Sequence, residues 1–198
     1  MTYIQIGTKD GNDEFNLKVL RDDPDRIIFV EPNREHNRSI LRYYNRMNFY
    51  IENVAITTGD LSEVTLVRPR HPVNGIDFDS GKFSLLPMDD WGDDFIRITV
   101  PAMTFNSLCS KYGITHVDYL QIDTEGYDAE IIKSINFDAV TIDCIKYEQW
   151  NFPPERFTRH GDKGQNYGIE GMRQVEKLLT SKGYRLEKLP YDIIATRE

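Results

Sequence analysis

The sequence predicts an α/β fold: a mainly parallel sheet with helices on both faces, finished by an antiparallel hairpin. Three observations carry this expectation. Apolar strand runs alternate with amphipathic helical stretches along nearly the whole chain. The run Ile27-Ile28-Phe29-Val30 is apolar at every position, as a strand covered on both faces requires. The last two strand runs, Tyr184–Leu189 and Asp192–Thr196, are joined only by Pro190-Tyr191, which is too short for a crossover helix, so they must pair antiparallel.

The elements follow in order. Tyr3–Ile6 is a short strand ending in Gly7. Asn12–Leu20 reads as a helix with Phe15, Val19 and Leu20 on one face, and Asp22–Asp25, with Pro24, turns the chain into the strand Arg26–Val30. Asn33 is placed to cap a helix running to about Arg46, with Ile40, Leu41 and Tyr44 inward. Phe49–Ile56 is a third strand, Gly59-Asp60 a turn, and Ser62–Val67 alternates like an edge strand. From Pro69 to about Phe95 there is no sustained period, but there are Pro69, Pro72, Pro87 and the run MDDWGDDF. This is expected to be an excursion from the domain, of a length that is usually functional. Regularity returns with the strand Ile96–Val100, a helix from the Thr104 cap through Tyr112, and the strand Val117–Ile122 ending in Asp123. Then come a helix at Ala129–Ile135 and a strand at Ala139–Tyr147 ending in Glu148. Asn151–Gly168 is irregular. Gly171–Lys182 is a helix with Val175, Leu178 and Leu179 inward, closed by Gly183.

Composition narrows the function classes. A chain of 198 residues with 39% hydrophobic and 28% charged residues is read as a single globular domain, 1–198, with a substrate-facing insertion at about 68–96. No apolar run approaches membrane-spanning length, and the opening MTYIQIGTKDG lacks the basic-then-apolar pattern of a secretory leader, so no membrane and no export are expected. Cys109 and Cys144 have neither a CxxC nor a Cys/His companion; free thiols in a reducing compartment, hence a cytoplasmic protein, are the simplest expectation, and structural zinc is not expected. A net charge of −8 disfavours a nucleic-acid partner.

In open α/β sheets ligands bind beyond the carboxyl ends of the strands. Here those ends carry Gly7, Glu31, Ala55, Asp123 and Glu148. The loop Gln5-Ile6-Gly7-Thr8-Lys9-Asp10-Gly11 has GxxxG spacing; its glycines serve either a ligand or simply the turn. Glu31, with Pro32 beside it, ends the next strand, where an acid accepts hydrogen bonds from both hydroxyls of an adenosine ribose. Asp123-Thr124-Glu125-Gly126-Tyr127-Asp128 follows an apolar strand. Its acids could serve as a general base, bind a divalent ion, or, for Asp128, simply favour a helix start. A divalent metal is left open there, without a full ligand set.

The segment TFNSLCSKYGITHVDYLQIDTEGYDAEIIKSI resembles the signature region of the FkbM-type S-adenosylmethionine-dependent methyltransferases, with its Ile-Asp-x-Glu-Gly turn. YIQIGTKDGNDEF is similar to that family's cofactor loop, FVEPN to its ribose-binding strand end, ENVAIT to the stretch edging the adenine, and GYRLEKLPYDIIATRE to its closing hairpin. The resemblance implies a Rossmann-like class I methyltransferase sheet and S-adenosylmethionine as cofactor. It implies that Gln5, Gly7, Thr8 and Gly11 hold the methionine part, that Glu31 and Pro32 meet the ribose, and that Asn53 and Ala55 lie near the adenine. Asp123, with Glu125, is expected to face the methyl group. Gln5 departs from the acid usual there, which removes a charge attraction. The chain also starts at its first strand, so the acceptor side is expected to be open or completed by a second copy, which leaves a homo-oligomer open.

Methyl transfer to a hydroxyl needs alignment and a base. Asp123 is the first candidate, Glu125 stands beside it, and Glu148 and then His160 are further candidates. Substrate contacts are expected from His71, Trp91, Tyr127, Trp150 and His160, although Trp150, next to a buried strand, equally suits packing. The acceptor class is a sugar, glycan or small-molecule natural product. Two rival readings are a non-catalytic adenosyl-binding module and an NAD-dependent oxidoreductase, which Glu31 would serve equally well.

Overall fold

The computed structural model describes residues 1–79 and 82–198, so Ser80 and Gly81 of the excursion lie outside the described residues. The chain begins with β1 (Thr2–Ile6), α1 (Glu14–Asp22), β2 (Arg26–Val30), α2 (Asn37–Tyr44) and β3 (Phe49–Glu52). It then forms β4 (Ala55–Ile56), β5 (Glu63–Pro69), β6 (Phe95–Met103) and α3 (Phe105–Tyr112). β7 (His116–Val117), β8 (Tyr119–Ile122), α4 (Asp128–Ser134), β9 (Thr141–Ile142) and β10 (Cys144–Glu148) follow, and α5 (Ile169–Ser181), β11 (Tyr184–Lys188) and β12 (Asp192–Arg197) close the chain.

Seven strands form one sheet in the order β11-β12-β10-β8-β1-β2-β3. β12 runs antiparallel to both its neighbours, and the other pairings are parallel. The strand order reverses at β1, which pairs with β2 on one side and β8 on the other. That reversal opens a crevice at the carboxyl ends. Successive side chains of the central strands point to opposite faces, and both faces are buried. Ile4, Ile6, Ile28, Val30, Leu120 and Ile122 enter the larger core under α3, α4 and α5. Tyr3, Phe29 and Tyr119 face α1 and α2, where Phe15, Val19, Ile40 and Tyr44 complete an aromatic layer, with the Phe29 and Tyr44 rings 4.5 Å apart.

Helix starts follow local chemistry. Asp13 Oδ1 accepts from the Phe15 amide (3.0 Å), Asn33 from the Glu35 amide (3.1 Å) and Thr104 from the Ser107 amide (3.0 Å), each satisfying an orphan donor of a first turn. The inward faces are narrower than expected. Phe15 and Val19 are buried but Leu20 is 60% exposed; Ile40 and Tyr44 are buried but Leu41 is 52% exposed. On a short helix only the i, i+4 pair reaches the sheet. Leu178 of α5 is half-buried, whereas Val175 and Leu179 are buried.

The expected third strand is two strands. The chain breaks at Asn53-Val54, and β4 leaves the main sheet to pair with β6. β5 and β6 form an antiparallel ribbon from Glu63↔Pro101 to Pro69↔Phe95, and the excursion hangs from its far end. The expected strand at 139–147 likewise splits at Asp143 into β9, which pairs with β7, and β10. The irregular segment contains two 3-10 stretches across Pro154–Asn166, interrupted near Phe157 and at Gly161. It is bolted to the excursion. Asp89 accepts from the Thr158 amide (2.8 Å), the Thr158 hydroxyl (2.6 Å) and the Arg159 amide (2.9 Å), and Arg156 pairs with Asp90. Among the described residues no helix is long and apolar enough to cross a membrane.

Candidate functional site

A cleft opens at the carboxyl ends of β1, β2 and β8. One wall is polar: Gly7, Glu31, Asn33, Asp123 and Glu125. The other is apolar: Val54, Ile56, Leu66, Phe83, Leu85 and Ile98.

Gly7 is required by its neighbours. Its φ is +80°, and a Cβ there would fall under 3.0 Å from the backbone carbonyl of Asp123. The ends of β1 and β8 therefore pass in direct backbone contact; Asp123 N–H to Ile6 O ties β8 to β1 and Gly7 N–H to Val30 O ties β1 to β2, both 2.9 Å. Thr8 is buried, with its hydroxyl donating to Gln5 O at 3.3 Å. Gly11 also has a positive φ, +73°, but it does not line the cleft; it lies against the ring of Tyr44, whose hydroxyl donates to Gly11 O at 3.1 Å. Gln5 is fully buried on the α1 side, its Nε2 donating to Asp13 Oδ2 at 2.5 Å, while its Oε1 has no partner among the described residues.

Glu31 is buried at the mouth of β2. Its two oxygens accept from the Lys9 amide (2.7 Å) and the Asn33 amide (2.8 Å). Burial raises its pKa, and those two amides hold it back. Each carboxylate oxygen keeps a second lone pair for a ligand hydroxyl. Asn53 does not reach the cleft either. Its Nδ2 donates to Glu31 O (2.8 Å), and it forms a reciprocal amide pair with Asn37 (2.9 Å both ways), so it fixes the Glu31 backbone. Ala55 and Pro32 line the cleft.

The turn after β8 gathers the acids. Glu125 sits in the left-handed region at φ +53°, which is strained for a residue with a Cβ, and Gly126 follows at +102°. Gly126 can be nothing larger, because a Cβ would overlap the indole of Trp150. Two contacts hold the strained turn. Ser84 of the excursion donates its hydroxyl to Glu125 O at 2.7 Å. Asp128, fully buried, accepts from the Thr124 amide (3.2 Å), the Thr124 hydroxyl (2.7 Å) and the Glu148 amide (3.2 Å). Asp128 is thus a structural acid, at the helix start as expected.

Crowding sets the electrostatics. Burial pushes Glu125 up to about 7, with Lys82 and Lys9 pulling down and Asp128 pushing up. Burial, then Asp128 and Glu125, push Glu148 up to about 8, against the Trp150 indole N–H that donates to it at 2.8 Å. The Asp123 pKa is raised by surrounding protein and then by Asp128, Glu148 and Glu125. Asp123 nevertheless stays exposed to the cleft, so water offsets part of the burial effect and the three neighbouring acids are the firmer cause.

The expected substrate residues separate. Tyr127 lines the cleft, and His160 lines the groove next to it with Nε2 2.8 Å from Pro87 O. Trp91 packs in the core against Phe78, ring centres 4.8 Å apart, and Trp150 is buried behind Gly126, so neither lines the cleft. His71 is on the surface near Asp94, at 3.6 Å, and lines neither cleft nor groove. Glu148 neighbours the acids without lining the cleft. The apolar wall from Leu66, Phe83, Leu85 and Ile98 was not foreseen; alternation in β5 marks Leu66, but nothing in the sequence marks Phe83 or Ser84. Among the described residues, the one close set of metal-type ligands is His116, Asp118 and Asp143, at the amino ends of β8 and β10, the far end of the strands from the cleft. Asp118 already accepts from the Thr2 amide (2.6 Å) and Asp143 pairs with His116 (3.0 Å).

The methyltransferase FkbM domain family matches residues 5–186. Among solved structures, methyltransferase FkbM from Methylobacillus flagellatus KT is similar, with a TM-score of 0.50 at 10% identity over 98% of this chain. At that identity the likeness is one of fold. The chain spans 43% of the length of that protein. No curated protein sequence matches.

Proposed function

Because the chain belongs to the FkbM methyltransferase family, we propose that it transfers the methyl group of S-adenosylmethionine to a hydroxyl on a sugar, glycan or small-molecule natural product. The observation that carries this reading is the meeting, in one cleft at the strand-order reversal, of a glycine-tight strand end, a doubly anchored Glu31 and an acidic turn. These residues fit the cofactor. Gly7 leaves the backbone bare where a ligand lies closest, Glu31 keeps two lone pairs for ribose hydroxyls, and Val54, Ile56 and Ile98 offer an apolar wall to a base. When bound, the cofactor supplies a methyl carbon on a positively charged sulfur, open to in-line displacement.

The protein's own part is alignment and proton removal. Asp123 and Glu125 line the cleft, so an acceptor hydroxyl proton passes most directly to a carboxylate oxygen of Asp123, with Glu125 as the second candidate. Burial, and for Asp123 the neighbouring acids as well, makes them stronger bases than ordinary carboxylates. Glu148, held by the Trp150 indole N–H, does not line the cleft and is given no contact with the acceptor. The same reading takes the protein as cytoplasmic, in keeping with the free thiols Cys109 and Cys144.

A non-catalytic adenosyl-binding subunit is the second reading. It is favoured by Gln5, whose amide is committed to Asp13 and leaves no carboxylate at the end of β1. Calorimetric titration with S-adenosylmethionine, S-adenosylhomocysteine and NAD, on wild type and Glu31→Ala, tests the cofactor. Micromolar binding of the two adenosyl ligands, weakened by the substitution, is expected. Binding of NAD alone, or of none, overturns it. Adenosyl binding with no transfer to any acceptor in a broad hydroxyl panel favours the subunit reading.

A further inference from the structure

The cleft continues past the acidic turn. Tyr127 lines it and also lines two adjoining grooves that run outward beside α4 and the Pro154–Asn166 segment. Leu85 is shared by the cleft and the first groove, and Lys163 and Tyr167 by the two grooves, so they form one channel. The channel changes sign along its length. Its inner end carries Glu31, Asp123 and Glu125. Its outer end carries Lys133 and Lys163 with a single acid, Glu130. Glu130 pairs with Lys133, which also donates to Gln174 at 3.3 Å. Lys163 is exposed, and no partner for it occurs among the described residues. The outer end therefore has a formal surplus of one positive charge, on a chain whose net charge is −8.

We propose that this channel is the acceptor site and that it selects a hydroxylated acceptor bearing an anionic group, carboxylate or phosphate, held at Lys163 with Lys133 beside it. The inference rests on the methyltransferase reading above. The acids of the inner end match a sulfonium and would repel an anion, so the acceptor's charge must sit away from its reacting hydroxyl. Six positions separate Tyr127 from Lys133 on α4, about 9 Å at ~1.5 Å per residue. That is close to the Debye length of about 8 Å at physiological ionic strength, so salt weakens the inner acids' repulsion of an anion at the outer end without removing it. Between the ends, Tyr127 and Tyr167 offer ring faces, and the Tyr127 hydroxyl lies 3.3 Å from that of Thr58, which suits a hydroxylated ring. His160, 5.3 Å from Tyr167 between ring centres and tied to Pro87 O, stiffens that wall.

The test is calorimetric titration of the full chain saturated with S-adenosylhomocysteine. The probes are cellobiose, the same disaccharide ending in glucuronic acid, and its phosphate monoester. At least one charged probe is expected to bind tenfold or more tighter than cellobiose. Lys163→Gln should abolish that advantage, and 0.5 M salt should reduce it. A preference for one charged probe over the other identifies carboxylate or phosphate as the source. Equal affinity for all three, no binding of either charged probe, or a preference that survives Lys163→Gln overturns the proposal. A prior titration of the ligand-free chain with S-adenosylhomocysteine separates the failures. No binding there removes the methyltransferase reading as well, whereas binding there without charge preference among the probes removes only this inference.

Discussion

Replacing Gly7 by alanine should damage the protein far more than the same change at Gly11, although both residues have positive φ. A non-glycine residue in the left-handed region costs about 1–2 kcal/mol, which applies to both. At Gly7 the new Cβ also meets the Asp123 carbonyl, a backbone atom that cannot swing aside. Relief requires moving the Gly7 backbone out of its place between β8 and β2, at the expense of Asp123 N–H to Ile6 O on the β8 side and of its own N–H to Val30 O on the β2 side. Those two bonds are worth about 1 kcal/mol each. The sum is roughly 3–4 kcal/mol, a large share of a typical stability of about 5–15 kcal/mol. At roughly 2–4 °C per kcal/mol for a domain of this size, Tm falls by about 6–16 °C. At Gly11 the nearest atom is the edge of the Tyr44 ring at 3.1 Å, which can give way, so only the backbone cost remains. Thermal unfolding with and without S-adenosylhomocysteine measures both. Gly7→Ala should also lose at least tenfold in adenosyl affinity, while Gly11→Ala keeps it within a few-fold. Equal Tm shifts for the two variants, or a Gly7→Ala protein with unchanged affinity, would refute the backbone-contact account.

Asp128→Ala removes the acceptor of two backbone amides and a hydroxyl. Stranding the buried amides costs about 1–3 kcal/mol each, visible as a lower urea midpoint at unchanged slope; an unchanged midpoint contradicts the structural role. Ser84→Ala should lower turnover more than cofactor affinity, because it frees the Glu125 carbonyl in a strained turn; a loss confined to affinity contradicts this. The pH dependence has a definite sign. Glu125 and Glu148 ionise ordinarily near 4.5 but at about 7 and about 8 in the fold, so the folded state holds their protons longer than the unfolded one. Their contribution is complete below about 4.5 and is lost as pH rises through 7 to 8. The ligand-free Tm should therefore decline from pH 5 to 8, and Glu148→Gln should flatten the decline. A Tm that rises across that window goes against the buried-acid reading.

The strands were legible because central parallel strands must be apolar on both faces, as Ile27–Val30 is, and helix starts because Asn33 and Thr104 cap by purely local bonds. Leu20 and Leu41 misled for a physical reason: a helix lying on a sheet buries a narrow stripe, and a leucine one position off it meets water. Within the cleft, Glu31, Gly7 and Asp123 could be read from strand ends, since that edge is where such sheets bind. What could not be read was who supports them. Asn53 looks like a ligand contact in sequence but anchors the Glu31 backbone through Asn37, a long-range partner no local pattern reveals. Trp91 and Trp150 look like stacking surfaces, yet both fill core, because an aromatic beside a ligand and one beneath a glycine have the same sequence signature. Phe83 and Leu85 reach the cleft only because the ribbon β5–β6 folds the excursion back over it.

The joint between Asp89–Asp90 and Arg156–Arg159 ties together two segments more than sixty residues apart. Neither can drift in sequence alone. A new residue in the first that spoils the joint exposes charges in the second, so the two are expected to diversify in step. Grafting one of them from a relative with a different acceptor should fail, whereas exchanging both as a matched set should carry the preference across.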